Sequence, residues 1–169
     1  SRIFFQITLA NEFIRESAPA KLAERNLSGA DATEIGYMRA EARFLRALSY
    51  YHAMDLFGNV PFVTEGDNVG SFLPTQITRA NLFTYIENEL KAIETELKDA
   101  RSNEYGRADK AAAWALLSRL YLNAEVYTGT PKFGDCITYC NKVTAVSGYG
   151  LATNYRNLFL ADNNTTGAA

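Results

Sequence analysis

The fold is decided by the stretch Arg39-Ala-Glu-Ala-Arg-Phe-Leu-Arg-Ala-Leu-Ser-Tyr-Tyr-His-Ala-Met-Asp-Leu-Phe57, which runs into Gly58-Asn-Val-Pro61. Ala40, Phe44, Ala47, Leu48, Tyr51 and Met54 recur at three- and four-residue spacing, which puts them on one face of an α-helix. The pattern predicts a long helix over about residues 34–57. Gly58 offers a left-handed C-cap, and Pro61 blocks continuation.

Four more stretches carry the helical period. They lie at about residues 3–16, 78–98, 109–127 and 132–146. In the third predicted helix Phe83, Ile86, Leu90, Ile93 and Leu97 repeat at 3-4-3-4 spacing, with Thr78 as a candidate N-cap. Glu87, Glu89, Glu94 and Glu96 fall off that stripe and read as a solvated face. Asp109 is a candidate N-cap for the Ala-rich fourth helix, which should end near Tyr127, before Gly129 and Pro131. Tyr155 to Leu160 is a candidate further turn. Val60 to Thr64 is the one β-rich stretch, and Pro61 demotes it. The connector 58–77 is rich in turn formers yet holds Val60, Phe62, Val63, Phe72 and Leu73, so it should pack onto the helices. The chain reads as all-α.

The second and fourth helices also match each other at an offset of 71 residues. Ala40, Ala42, Leu45, Tyr50, Ala53 and Gly58 coincide with Ala111, Ala113, Leu116, Tyr121, Ala124 and Gly129. About two 34-residue units is the spacing of a tetratricopeptide-like array. Helix pairs of this kind stack into a right-handed α-α superhelix, here with long packed loops. Such arrays bury a core between neighbours and use their surfaces for binding.

Composition excludes several classes of function. The 169 residues hold 17 Lys+Arg against 19 Asp+Glu, a net charge of −2, without the basic excess of a nucleic-acid binder. An apolar fraction of 47% supports a packed core and argues against disorder. No run of about 18 apolar residues is present to span a membrane. The start, Ser1-Arg2-Ile3-Phe4-Phe5, lacks the pattern of a signal peptide and has no initiating Met, so the chain reads as a piece of something longer.

Candidate chemistry is sparse. Cys136 and Cys140 sit one helical turn apart, a poor geometry for a disulfide, and no four-ligand zinc set accompanies them. With Phe133, Ile137 and Val143 they form an apolar stripe and read as small buried hydrophobes. His52 has no nucleophile or carboxylate constellation in sequence and reads as an ordinary helical His. Arg39, Arg43 and Arg46 line one helix face. Pairing with Glu41 or Asp55, with backbone carbonyls or with a neighbouring helix outweighs anion binding there. Tyr105, Tyr127, Tyr149 and Tyr155 lie near helix ends or loops, where sugar stacking is conceivable but packing is the better reading. Asn163-Asn164-Thr165-Thr166 contains glycosylation-type triplets to which no weight attaches. No catalytic residue, no metal ligand and no cofactor site is assigned, and ligand-binding residues stay unnamed.

Several blocks, in order, resemble one family. Arg39 to Tyr51 followed by Asp55-Leu-Phe-Gly-Asn-Val-Pro-Phe-Val-Thr64 is similar to the hallmark helix and turn of SusD/RagB outer-membrane lipoproteins. Arg79 to Ile93, then Gly106-Arg107 through Leu122, then Ser147-Gly148-Tyr149-Gly-Leu151 with Tyr155-x-x-Leu-Phe159, resemble the later blocks, and Ile7-x-x-x-Asn11 fits near the start. The resemblance implies a single SusD-like helical domain over 1–169, without the lipoprotein N-terminus or the C-terminal part. It implies non-catalytic binding of a glycan or other nutrient on the surface of a Gram-negative outer membrane. The partner implied is a SusC-like TonB-dependent transporter, and the lipid anchor would lie outside these residues, since Cys136 and Cys140 are internal. In starch-binding relatives the stacking aromatics come from before the first helix and from the C-terminal part. No such residue carries over, and the chain alone should bind sugar weakly or not at all. Gly106 and Arg107 read as loop-to-helix geometry. The competing reading from the repeat alone is a cytoplasmic tetratricopeptide-type adaptor that holds a peptide.

Overall fold

A computed structural model describes residues 2–70 and 72–163. Seven α-helices make up most of it: α1 (Arg2–Glu16), α2 (Pro19–Glu24), α3 (Gly29–Phe57), α4 (Arg79–Ile93), α5 (Lys110–Leu122), α6 (Ala124–Thr128) and α7 (Phe133–Thr144). The two strands, β1 (Val60–Pro61) and β2 (Gln76–Ile77), are two residues each and pair antiparallel. Tyr155–Phe159 forms a 3₁₀ turn. The Asn163–Thr166 triplets run past Asn163 into undescribed residues.

Side-chain contacts fix the direction of each helix against the next. Asn11 of α1 meets Arg46 of α3, and Ile14 meets Arg39. Arg43 of α3 meets Glu96 beyond the end of α4, while Tyr50 meets Tyr85. Glu94, beside α4, meets Trp114 of α5, and Glu87 meets Tyr121. Tyr121 then meets Tyr139 of α7, and Trp114 meets Lys142. Each pairing runs antiparallel, so α1, α3, α4, α5 and α7 alternate up and down. That is the all-α, tetratricopeptide-like arrangement which the 71-residue repeat predicts.

The repeat is visible as matching burial. Tyr50 and Tyr121 are both fully buried, as are Ala53 and Ala124, and Ala40 and Ala111 are both buried. Gly58 and Gly129 both end their helices at positive φ, 72° and 79°. The match fails at Leu45, exposed on α3, against Leu116, buried on α5. Burial pushes the Tyr50 hydroxyl up to about 12. It donates to the Val63 carbonyl at 2.7 Å and accepts from the Val63 N–H at 2.9 Å. The Tyr121 hydroxyl donates to Glu87 at 2.8 Å.

Several boundaries and faces differ from the sequence expectation. α3 starts at Gly29, not near residue 34. α2 was not expected, because six residues are too short to show a period; Pro19 sits at its first turn. The expected helix 109–127 is two helices broken at Asn123, whose side-chain amide donates to the Arg119 carbonyl. On α7 the buried positions are Cys136 and Tyr139, while Phe133, Ile137 and Cys140 are exposed. Tyr139 and the Lys142 stem rotate the contact face, because Tyr139 stacks on Tyr121 and Lys142 reaches Glu94 over the Trp114 ring. Cys140 is therefore not the buried hydrophobe expected.

The larger correction concerns charge. Glu87 is 8% exposed, and the Glu89 side chain is 16% exposed. These are not a solvated face. Arg43 Nη2 and Arg46 Nη2 bond the two Glu89 oxygens at 3.0 and 2.9 Å. Arg43 also pairs with Glu96 at 2.8 Å, and Arg46 with Glu65 and with Asn11 Oδ1 at 2.8 Å. Arg39 donates to the Ile14 carbonyl. Pairing of the arginine stripe with a neighbouring helix and a backbone carbonyl thus holds, but Glu41 and Asp55 are engaged elsewhere, with Arg107 and Tyr127.

The same network pins the connector. Asn11 donates to the Val63 carbonyl and Arg15 to the Glu65 carbonyl. Phe62 wedges between Tyr50 and Tyr85, with ring centroids 5.4 and 4.8 Å away. The first half of the connector therefore packs down, as its apolar content predicts. Leu73, at 96% exposure, does not.

The network and the Tyr50 bonds can each be tested by substitution. Arg46→Met strands the Glu65 carboxylate and weakens the hold on Glu89; urea melts should show a loss of about 3 kcal/mol or more. A double-mutant cycle with Glu89→Gln should show coupling of at least about 1 kcal/mol. Tyr50→Phe should cost about 1–2 kcal/mol, because the two bonds between its hydroxyl and Val63 are lost and the Val63 N–H is left without a partner. Tyr85→Phe should be neutral or stabilising, since the Tyr85 hydroxyl is buried and has no hydrogen-bond partner among the described residues. For pH, burial by itself would raise Glu89, but bonds to Arg43 and Arg46 outweigh it and hold the carboxylate below its ordinary value. The network's contribution is then complete above about pH 5 and is lost as pH falls through the depressed folded value. Glu89→Gln should flatten that acid limb in melts taken from pH 7 to 3.

Candidate functional site

Among the described residues, three open cavities stand out. One of about 600 Å³ lies between α2 and α3, walled by Pro19, Leu22, Leu27, Tyr37 and Thr95 among others. A smaller one, about 190 Å³, lies under the connector beside Asn11 and Arg15. The third, about 640 Å³, lies between the 101–109 loop and the segment 148–158. The third sets the exposed rings of Tyr105 and Tyr149 beside the polar side chains of Arg101 and Glu104.

That cavity is built by two short segments. The first leads into α5. Asp109 caps α5 by accepting from the Ala112 N–H at 3.0 Å, and it also accepts from the Arg101 N–H at 2.7 Å. The second bond draws the loop back over the helix start. Arg107, two residues ahead of the cap, bonds Glu41 of α3 twice, at 3.0 and 2.8 Å, and Glu34 at 3.3 Å. The Glu41 bonds hold its guanidinium more firmly protonated than usual. Asn103 donates to Glu41 and to the Ala108 carbonyl. Gly106 and Arg107 thus do shape the entry into α5. They do so through a long-range clamp onto α3 that no local pattern in the sequence reveals.

The second segment carries Gly148, Tyr149 and Gly150. Tyr149 is 44% exposed, and the Arg101 guanidinium carbon lies 5.6 Å from its ring centroid. Burial against the loop raises the Tyr149 hydroxyl, and nearby Asp109 adds to that. Tyr105 is 66% exposed and its hydroxyl donates to Asn163 Oδ1 at 3.0 Å. Of the four tyrosines singled out from the sequence, the fold brings Tyr105 and Tyr149 to one cavity. Tyr155 stands exposed against Phe159, 5.0 Å between rings. Tyr127 is buried, donating to Asp55 at 2.7 Å.

For reaction chemistry the described residues offer little. No group of three or more His, Cys, Asp or Glu residues among them could hold a metal ion. His52 is exposed and packs edge-on to Tyr51. Glu87 and Glu94 are held below the ordinary carboxylate range. For each, burial works the other way and is outweighed, by bonds to Lys91, Tyr121 and Lys132 for Glu87, and to Lys142 and Trp114 for Glu94. They are partnered anions set between helices. No described helix is long and apolar enough to cross a membrane.

Comparison with known proteins places this architecture. A SusD-like family described as "Starch-binding associating with outer membrane" matches residues 16–122. The starch-binding protein SusD of Bacteroides thetaiotaomicron is 42% identical over 162 residues, 96% of this chain and 27% of that protein. The chain spans between 26% and 30% of the length of the curated relatives it matches. A crystal structure with xylogluco-oligosaccharide superposes with a TM-score of 0.79 at 26% identity, covering 98% of this chain and 32% of that one. A laminarin-binding SusD-like protein superposes at 0.69 with 25% identity, over 92% of this chain and 34% of the other. The match over residues 16–122 and the identity sustained over nearly the whole chain show that the chain belongs to the SusD-like family.

Proposed function

We propose that this chain is the helical part of a non-catalytic glycan-binding protein of the bacterial outer-membrane surface. It delivers its ligand to a SusC-like, TonB-dependent transporter. The observation that carries this reading is the 42% identity to a starch-binding protein, sustained over 96% of the chain. Relatives of the same fold solved with xylogluco-oligosaccharide, or described as laminarin-binding, support a glucan as the ligand class. The main role of the described residues is scaffolding. Their charged side chains are largely spent on one another in clamps that hold α1, α3, α4 and α5 in register. The cytoplasmic peptide-adaptor reading has only the repeat behind it, and the family match outweighs that.

The test uses the full-length protein that contains this sequence. In affinity electrophoresis against starch, xyloglucan, laminarin and an acidic polysaccharide, it should be retarded by at least one neutral glucan and release no reducing ends. Detergent-solubilised membranes should yield it together with a β-barrel transporter. Co-purification with a soluble peptide partner, and with no barrel, would overturn the proposal in favour of the adaptor.

A further inference from the structure

The 101–109 and 148–158 cavity has features that scaffolding does not explain. Arg101 adopts φ +65°, a left-handed conformation that non-glycine residues rarely take. Its backbone is held there by the Asp109 carboxylate. The result aims the side chain back across Gly148. A Cβ at Gly148 would stand 1.8 Å from Arg101 Nη1 and 2.7 Å from its Cζ, so only glycine lets the guanidinium lie against this backbone. Arg101 then flanks the Tyr149 ring, while its guanidinium N–H groups have no acceptor among the described residues. Arg107 and Asp109, in the same walls, are spent on Glu41, Glu34 and backbone amides. Glu104 is 81% exposed and touches Arg107 only at 3.9 Å.

The unspent groups are one cation, one carboxylate and two exposed tyrosine rings. Their net charge is zero. A ring of CH groups edged by hydroxyls matches this set. The tyrosine faces take the CH surface, the Arg101 fork donates to hydroxyl oxygens, and Glu104 accepts from hydroxyls. The volume of about 640 Å³ falls within the range of about 300–1,000 Å³ usual for small-ligand sites.

We propose that the Tyr105–Arg101–Tyr149 cavity is a secondary subsite for neutral oligosaccharide, carried by these residues themselves. It rests on the glycan-binding reading and adds a place on the helical scaffold where a second stretch of the same polymer is held. A weak subsite of this kind raises the avidity of a longer ligand through effective concentration.

The test is an NMR titration of the 169-residue chain, its fold checked by circular dichroism, with maltoheptaose and a xyloglucan oligosaccharide as probes and oligogalacturonate as charge control. One neutral probe should bind with Kd of about 1 mM. Tyr149→Ala and Tyr105→Ala should each weaken it by about fivefold. Gly148→Ala should weaken it too, by displacing Arg101, and Tyr155→Ala should leave it unchanged. Folded chain that binds neither neutral probe would overturn the subsite. So would tighter binding of oligogalacturonate. Neutral binding that survives both tyrosine changes would also overturn the subsite while leaving glycan binding intact. Failure of the full-length protein on every polysaccharide would instead strike the reading beneath it.

Discussion

One buried guanidinium organises the N-terminal half of this molecule. Arg46 is 2% exposed and contacts Glu89 of α4, Asn11 of α1 and Glu65 of the connector. Desolvating such a charge is costly; the partners at its two terminal nitrogens offset that cost, while the Nε–H is buried without a hydrogen-bond partner among the described residues. The partners must therefore arrive together, which couples α1, α3, α4 and a distant loop into one cooperative unit. Arg43 shares Glu89 and extends the network to Glu96. Hydrophobic burial supplies most of the driving force for collapse, but it is non-directional. The ion network adds the requirement that the helices meet in one register.

The C-terminal half uses related devices with different residues. Glu87 sits between Tyr121, Lys91 and Lys132, while Glu94 sits between Trp114 and Lys142. Lysine stems and aromatic rings cover these carboxylates, where two arginines cover Glu89. A third clamp, Arg107 on Glu41 and Glu34, ties the entry of α5 to α3. Alternate carboxylates along α4 thus face α3 on one side and α5 and α7 on the other. α4 is the central member of the array, and both of its flanks are polar seams inside a packed fold.

This division of labour bears on function. A surface that binds neutral glycan needs aromatic rings and hydrogen-bonding groups not already committed. Most charged side chains here are committed. Arg101 and the loosely held Glu104 lie at one end of the array, in the loop before α5, beside the exposed rings of Tyr105 and Tyr149. The clamps keep that end in place without occupying it.

The fold class was legible in the sequence because helical periodicity is a local property. The spacing of Phe83, Ile86, Leu90, Ile93 and Leu97, the caps at Thr78 and Asp109, and the 71-residue repeat each involve short windows or simple self-comparison. The family blocks were legible for the same reason. What the sequence alone misassigned were Glu87 and Glu89, read as solvated, and Cys140, read as buried. An amphipathic pattern separates apolar from polar residues, and it cannot tell a carboxylate facing water from one facing Arg43 and Arg46. That distinction depends on which helix lies opposite, across 46 and 43 residues of chain. The candidate site was illegible for the same reason. Tyr105 and Tyr149 are 44 positions apart, and only the packing of α7 on α5 and the turn at Gly148 bring them to one cavity. Local spacing determined the elements and the lineage; the long-range pairing of charges and rings, set by tertiary packing, decided which polar groups are spent and which stay exposed.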